Sequence, residues 1–265
     1  MEIRFWKYEG AGNDFIMIDG RGDERELRAD TIRRMCDRHL GIGADGLIIL
    51  LGHPEYDFRM RYFNADGGEV DMCGNGGRCI ALFADDLGIG GDVKRFAGRD
   101  GAHEAVIVSR TAEGAEIELG MIDVNGYQYS DRAFTLNTGV PHYVEFVDNV
   151  DSLDVVSLGR QKRNEERFDA DGGTNVNFAE VLSDGKIKIR TYERGVEDET
   201  LACGTGAVAA AIATRLFEQG RCNEFTVEVR GGTLGVSLET GDNQHFTNIR
   251  LTGPARRVFE GTIKL

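Results

Sequence analysis

Two cysteines, Cys73 and Cys203, each stand directly before a Gly-x-Gly turn that leads into a segment with helical character. A cysteine at the start of a helix lies where unpaired N–H groups and the positive end of the helix dipole converge, which favours thiolate over thiol. The glycines leave the next backbone amides uncovered, so a carboxylate can approach them. Each motif therefore predicts a base beside an anion-binding site.

The two motifs belong to a longer internal match. Residues 61–76 are matched by residues 190–206 with one residue inserted, and both copies contain an acidic, Gly-containing loop before the cysteine. This is a two-copy duplication, since a solenoid needs at least three stacked units. A weaker match relates residues 12–15 to residues 174–178. Inverting an amino-acid α-carbon requires one group to remove a proton from one face and a second group to deliver a proton to the other. Two facing cysteines, one thiolate and one thiol, could do this.

The alternative for any single cysteine is a small buried hydrophobe. Recurrence in a duplicated motif favours chemistry for Cys73 and Cys203, whereas Cys36, Cys79 and Cys222 lack that context and are interpreted as structural. An odd number of cysteines without an export signal predicts reduced thiols. No C-x2-C pair is present, so we expect no metal site.

The elements that would position these motifs follow from hydrophobic patterns. Short β-branched or alternating segments bounded by Gly, Asp or Asn predict strands; they cover 15–19, 47–51, 105–109, 116–119, 178–182, 186–190 and 225–229. Helices are predicted over 30–38, 76–87 and 204–218. The last two stop before Gly88 and Gly220, where a left-handed residue is expected.

Composition excludes several classes of function. The net charge is −14 and the pI is about 4.9, which argues against a nucleic-acid partner because such binding depends on Lys and Arg neutralising phosphates. The first residues lack the pattern of a secretory signal, and no apolar run is long enough to span a bilayer. We expect a cytoplasmic protein with no nucleic-acid or membrane partner.

The motif segments resemble those of a known family. Residues 64–79 and 192–206 closely resemble the two signature segments of diaminopimelate epimerases, and residues 10–15, 37–45 and 251–255 match other parts of that family in the same order. The resemblance therefore covers nearly the whole chain. It implies an isomerase that interconverts LL- and meso-diaminopimelate for lysine and peptidoglycan synthesis, acting on this small amino acid without pyridoxal phosphate, any other cofactor or a metal.

The duplication and the resemblance together predict the fold and the domains. The 265 residues are enough for two domains with separate cores. We expect an α+β fold of two pseudo-symmetric α/β domains, each a central helix wrapped by mainly antiparallel strands, with the active site in the cleft between them. The predicted N-terminal domain is 1–119, completed by the tail 251–265, and the C-terminal domain is 120–250. A homodimer is an open alternative to a monomer.

The resemblance also implies roles for individual residues. Cys73 and Cys203 become the acid/base pair. The residues expected to bind substrate are the backbone amides of Gly74, Asn75, Gly204 and Thr205 and the side chains of Asn13, Asn64, Asn175, Glu193 and Arg194. The planar guanidinium suits a bidentate carboxylate contact, and the carboxylate suits an ammonium group. His142 is a candidate for orienting a cysteine, with a structural histidine as the equal alternative.

The sequence departs from the family pattern at two positions. Gly46 stands where many members have Gln, and Val140 stands where many have Asn.

Two other functions stay open: a proline or hydroxyproline racemase of the same fold, and a module that only binds an anionic ligand. The pair Glu193–Arg194 disfavours the first, because diaminopimelate has a second charged end and proline does not.

Overall fold

The computed structural model describes residues 2–22, 26–241 and 244–264, and the chain divides into two compact units. The first unit is Met1–Leu119 with Gly253–Leu265, and the second is Gly120–Thr252. Residues 251 and 252, assigned above to the tail of the first domain, lie in the second unit. The boundary lies within one long strand, and no change in amino-acid composition marks its position.

The first unit is built from nine strands and two helices. Its elements are β1 (Glu2–Gly10), β2 (Asn13–Asp19), α1 (Ala29–Cys36), β3 (Gly46–Leu51), β4 (Phe58–Asn64), β5 (Glu69–Val70), α2 (Gly74–Asp86), β6 (Val93–Ala97), β7 (Ala102–Arg110), β8 (Gly114–Gly120) and the later part of β18, whose full range is His245–Lys264. These counts refer to the residues described above.

The strands of the first unit form a closed ring. They pair in the order β1, β2, β3, β4, β6, β7, β8 and β18, and β18 pairs back with β1. The pairs β2–β3 and β4–β6 are parallel, and the others are antiparallel. All of α2 except its last two residues is buried, and the helix packs against strands around the ring. A helix buried on every side belongs in a core, so α2 is the central helix of this unit.

The second unit has the same plan. Its elements are β9 (Val124–Asn125), β10 (Gln128–Ser130), β11 (Ala133–Asn137), β12 (Pro141–Phe146), α3 (Val155–Arg163), β13 (Asn175–Ser183), β14 (Lys186–Glu193), β15 (Asp198–Thr200), α4 (Gly204–Phe217), β16 (Glu224–Val229), β17 (Gly232–Thr240) and the first part of β18. Strand β12 is parallel to β13 and β14 is parallel to β16. The helix α4 is apolar and almost fully buried, and it packs against β11 to β14, β16 and β17.

The order of elements confirms the duplication. The series from β1 to β8, with α1 after the second strand and α2 after the fifth, recurs from β11 to β18 with α3 and α4 at the same places. The two motif copies lie on the equivalent strands β4 and β14, as predicted. The weaker match is wrong. Asn13 begins β2, whereas Asn175 begins β13, the counterpart of β3. A shared Asn before an apolar run is too short a signal to identify equivalent strands.

All the predicted strands and helices are present, with small differences at their ends. Helix α2 is followed by Gly88 with φ +69°, which confirms the left-handed residue expected there. The expectation for Gly220 is wrong, because α4 ends one residue early and Gln219 takes the left-handed conformation with φ +49°. Helix α3 is not among the predicted helices, although Asp154 accepts a hydrogen bond from the Ser157 amide, an ordinary helix-start signal. Within the described residues, no helix combines the length and apolarity that crossing a membrane requires.

Candidate active site

Cys73 is the residue from which helix α2 begins. Its backbone is extended, with φ −106° and ψ 137°, and its carbonyl accepts the Gly77 N–H at 2.7 Å. The half-buried side chain does not cap the helix. The thiol therefore stands beside the N-terminal amides of a buried helix, where unpaired N–H groups favour negative charge.

Two of the predicted binding residues lie next to Cys73. The oxygen Oδ1 of Asn13 lies 4.0 Å from the sulfur and accepts a hydrogen bond from Nδ2 of the buried Asn75 at 3.4 Å. The amide of Asn13 donates in turn to Asp45 at 2.5 Å. Asn64 is exposed at the end of β4, directly opposite Gly46 in the pairing with β3. The first unit thus gathers Cys73, Asn13 and Asn75.

The structure accounts for the glycine at position 46. A Cβ atom there would lie 2.6 Å from the carbonyl oxygen of Phe63 and 2.6 Å from the ring of Tyr62. Real Cβ atoms essentially never approach so closely. The Tyr62 ring thus covers the place from which a side chain at position 46 would extend.

Cys203 occupies the same place at the start of α4, but in a different environment. It is buried, with 7% of its surface exposed, and its sulfur lies 3.5 Å from the hydroxyl of Thr205. Burial and the nearby charge of Glu193 raise the pKa of the Cys203 thiol well above its ordinary value, against hydrogen bonds from Thr205 and the Gly206 amide. This environment therefore favours the thiol form of Cys203.

His142 is a fully buried histidine linked to this cysteine. Its Nδ1 accepts a hydrogen bond from Nδ2 of Asn177 at 3.0 Å, because the Asn177 amide also donates to the Tyr143 carbonyl and its oxygen accepts from Thr191. The proton of a neutral ring then resides on Nε2. Nε2 lies 3.0 Å from the Thr205 hydroxyl, which the ring can donate to. Burial, with the charge of Arg194, lowers the pKa of His142 to about 3, so the ring is neutral.

The other predicted residues of the second unit lie around His142 and Cys203. Oδ1 of Asn175 accepts from the backbone amide of Arg194 at 2.8 Å. Its Nδ2 lies 3.5 Å from Nε2 of His142, a contact between two donors and not a hydrogen bond. Glu193 accepts a hydrogen bond from Thr200 at 2.8 Å. Sequence reasoning missed Asn177, which orients His142. Its signal was available, since Asn175 and Asn177 alternate on one face of β13.

The three remaining cysteines lie in other environments. Burial raises the pKa of Cys36 to about 11, and the pKa of Cys79 is raised still further by complete burial. Cys222 donates to the carbonyl of Glu224. Across the described ranges, no group of three His, Cys, Asp or Glu side chains is arranged to hold a metal ion.

Several solved structures of other proteins have the same duplicated fold. A PhzF-family phenazine biosynthesis protein from Bacillus anthracis superposes with a TM-score of 0.75 at 17% identity, over all of both chains. A probable proline racemase from Agrobacterium radiobacter K84 superposes with a TM-score of 0.71 at 16% identity, over 99% of this chain and 93% of the other. At these identities the likeness shows the fold, a duplicated α/β architecture with a central helix in each half.

One family of proteins matches this chain in sequence over nearly its whole length. The family model described as diaminopimelate epimerase matches residues 5–119 and 134–258. The protein named diaminopimelate epimerase from Flavobacterium psychrophilum is 45% identical over 98% of this chain and all of its own length. A protein of the same name from Chlorobaculum tepidum is 43% identical over 97% of this chain and 99% of its own. The chain belongs to the diaminopimelate epimerase family.

Proposed function

We propose that this protein interconverts LL- and meso-diaminopimelate, with Cys73 and Cys203 as the two acid/base groups. The relatives that carry this name align over nearly the full length of the chain. One structural observation carries the proposal: each unit presents a cysteine at the start of a buried helix with the side chain uninvolved in capping. A single such cysteine would fit many functions, but one in each copy fits the inversion of a carbon centre.

The proposed reaction conserves protons. The thiolate of one cysteine removes the α-proton and becomes a thiol, while the thiol of the other protonates the opposite face and becomes a thiolate. The reverse reaction exchanges these roles. In the intermediate, charge moves from the α-carbon onto the carboxylate, and the amides of Gly74, Asn75, Gly204 and Thr205 would bind that charge. The carboxylate of the intermediate carries more negative charge than that of the substrate. The helix N-termini therefore bind the intermediate more strongly than they bind the substrate, which lowers the barrier.

The remaining residues would select the substrate. Glu193 would bind an ammonium group and Arg194 a carboxylate, while Asn13, Asn64 and Asn175 would hold other polar groups. We assign His142 to orienting Cys203 through Thr205, as the two short contacts to that hydroxyl support. Reduced thiols are needed for this chemistry, so the proposal includes a cytoplasmic location.

The decisive experiment incubates the purified protein with LL-diaminopimelate in D₂O. We expect the meso isomer to form and deuterium to appear on the α-carbon, measured by chiral chromatography and mass spectrometry. L-Proline in parallel should gain no deuterium. Exchange into proline instead would assign the protein to the racemase alternative. Tight binding of diaminopimelate without deuterium exchange at its α-carbon would show that the protein is a module that only binds an anionic ligand.

A further inference from the structure

Arg78 is a fully buried arginine in helix α2, a little more than one turn after Cys73. Three of its hydrogen bonds go to uncharged oxygens: Nη1 donates to the Gly74 carbonyl at 3.2 Å, Nη2 to Oδ1 of Asn75 at 2.9 Å, and Nε to the Pro254 carbonyl at 3.5 Å. Burial lowers the pKa of Arg78, but a guanidinium still keeps its proton in proteins. The core of the first unit therefore holds a positive charge close to the start of α2.

A directed series of hydrogen bonds leads from this charge to the candidate base. Because a guanidinium has only donors, the oxygen of Asn75 must face Arg78, and the Asn75 NH₂ group then points to Asn13. Because a carboxylate has only acceptors, the NH₂ group of Asn13 must face Asp45. The two charged ends thus determine the orientation of both amides. Oδ1 of Asn13 is left facing Asn75 and the sulfur of Cys73, whose thiol donates to this oxygen at 4.0 Å.

The charge of Arg78 also acts on Cys73 directly. The two groups interact electrostatically, and an adjacent cation favours a thiolate over a thiol. In the second unit, Val208 occupies the position in α4 that corresponds to Arg78 in α2. Cys203 instead faces the negative charge of Glu193. The duplicated motif is therefore electrostatically asymmetric.

We propose that Arg78 is a positioning residue for Cys73: from inside the core it orients the side chains of Asn75 and Asn13 around the sulfur, and its charge favours the thiolate. Consequently the thiolate is favoured more strongly at Cys73 than at Cys203. The proposal rests on the proposed function only in taking Cys73 as a base. Its test does not require epimerase activity.

The test measures alkylation of each thiol by iodoacetamide between pH 6 and 10, with peptide mapping to separate the two cysteines. In wild type, Cys73 should react at lower pH than Cys203. Arg78→Met should move the pH midpoint of Cys73 upward by about one unit or more, which makes its reaction about tenfold slower near pH 7. Cys203 in the same sample is the internal control and should keep its profile.

Arg78→Lys provides a second variant in case the methionine variant fails to fold. The ammonium keeps a charge but not the planar fork, so the Cys73 midpoint should lie between those of wild type and Arg78→Met. Equal shifts at both cysteines would indicate general loosening of the fold and overturn the proposal. An unchanged Cys73 profile in either folded variant would also overturn it. Failure of the diaminopimelate assay would leave this result unaffected.

Discussion

The Thr205 hydroxyl lies 3.0 Å from Nε2 of His142 and 3.5 Å from the sulfur of Cys203. His142 receives a hydrogen bond from Asn177 on its other nitrogen, so its Nε2 proton points toward Thr205. A hydroxyl that accepts from the ring can donate its own proton to the sulfur. A buried neutral histidine can thereby act on Cys203 through one intervening side chain.

Replacing Thr205 tests this relay. Thr205→Val keeps the shape but removes the hydroxyl, and the hydrogen bond from Thr205 lowers the pKa of Cys203. We expect the pH midpoint for alkylation of Cys203 to rise and the free energy of unfolding to fall by about 1–3 kcal/mol, since Nε2 of His142 loses its partner. Thr205→Ser, the control, should resemble wild type. A Cys203 profile identical in both variants would remove the hydroxyl from the relay.

The buried His142 predicts a dependence of stability on pH. Its pKa falls from 6.5 to about 3 on folding, so the unfolded chain binds more protons than the folded chain between these values. The contribution of the neutral ring is complete above about pH 6.5 and is lost as the pH falls toward 3, with a slope approaching about 1.4 kcal/mol per pH unit. Urea unfolding at pH 7 and pH 5 should show a smaller loss for His142→Gln than for wild type. Equal losses would mean that His142 is accessible to protons in the folded state.

The two motif cysteines should be indispensable for turnover. Cys73→Ala and Cys203→Ala each remove one acid/base group and little volume, so epimerisation should fall by about 10²–10⁴-fold or more while circular dichroism stays unchanged. Cys222→Ala is the matched control, because Cys222 lies outside the two motifs and donates to the carbonyl of Glu224, two residues further along the chain. Turnover within tenfold of wild type for either motif variant would exclude that cysteine from the mechanism.

Substrate binding by Arg194 should depend on its planar guanidinium. Its backbone amide is held by Asn175 and its Nη1 donates to the Gly173 carbonyl at 3.3 Å. Arg194→Lys keeps the charge but cannot form a bidentate contact, so we expect KM for diaminopimelate to rise. Arg95→Lys is a suitable control, because the exposed Arg95 pairs with Glu104 in the first unit. If KM and kcat are both unchanged for Arg194→Lys, Arg194 does not bind the substrate.

Gly46 should tolerate no side chain. Gly46→Ala places a methyl group 2.6 Å from the backbone oxygen of Phe63 and from the Tyr62 ring, and that oxygen can move away only if strand β4 shifts relative to β3. A loss of about 1–3 kcal/mol in the free energy of unfolding is expected, as for overpacked cores. Gly52→Ala just beyond the same strand meets open space within the described part of the chain and should be neutral. Unchanged stability for Gly46→Ala would show that Tyr62 moves freely.

The sequence by itself determined the parts of this protein that depend on local pattern. The Cys-Gly-x-Gly motifs, their duplication and the apolar runs around them were sufficient to predict two similar units, the helices that begin after Cys73 and Cys203, and the family. These features can be predicted from the sequence because a helix start, a turn or a strand depends on residues within a few positions of one another.

Tertiary structure decided what surrounds each sulfur. The contact of Asn13 with Asn75 joins residues 62 positions apart, and that of His142 with Thr205 joins residues 63 positions apart. The motif segments are alike in sequence, yet one cysteine lies near a buried arginine and the other beside Glu193 and a neutral histidine. Burial and through-space charge set the protonation of a thiol, and both depend on which distant strands pack around the helix.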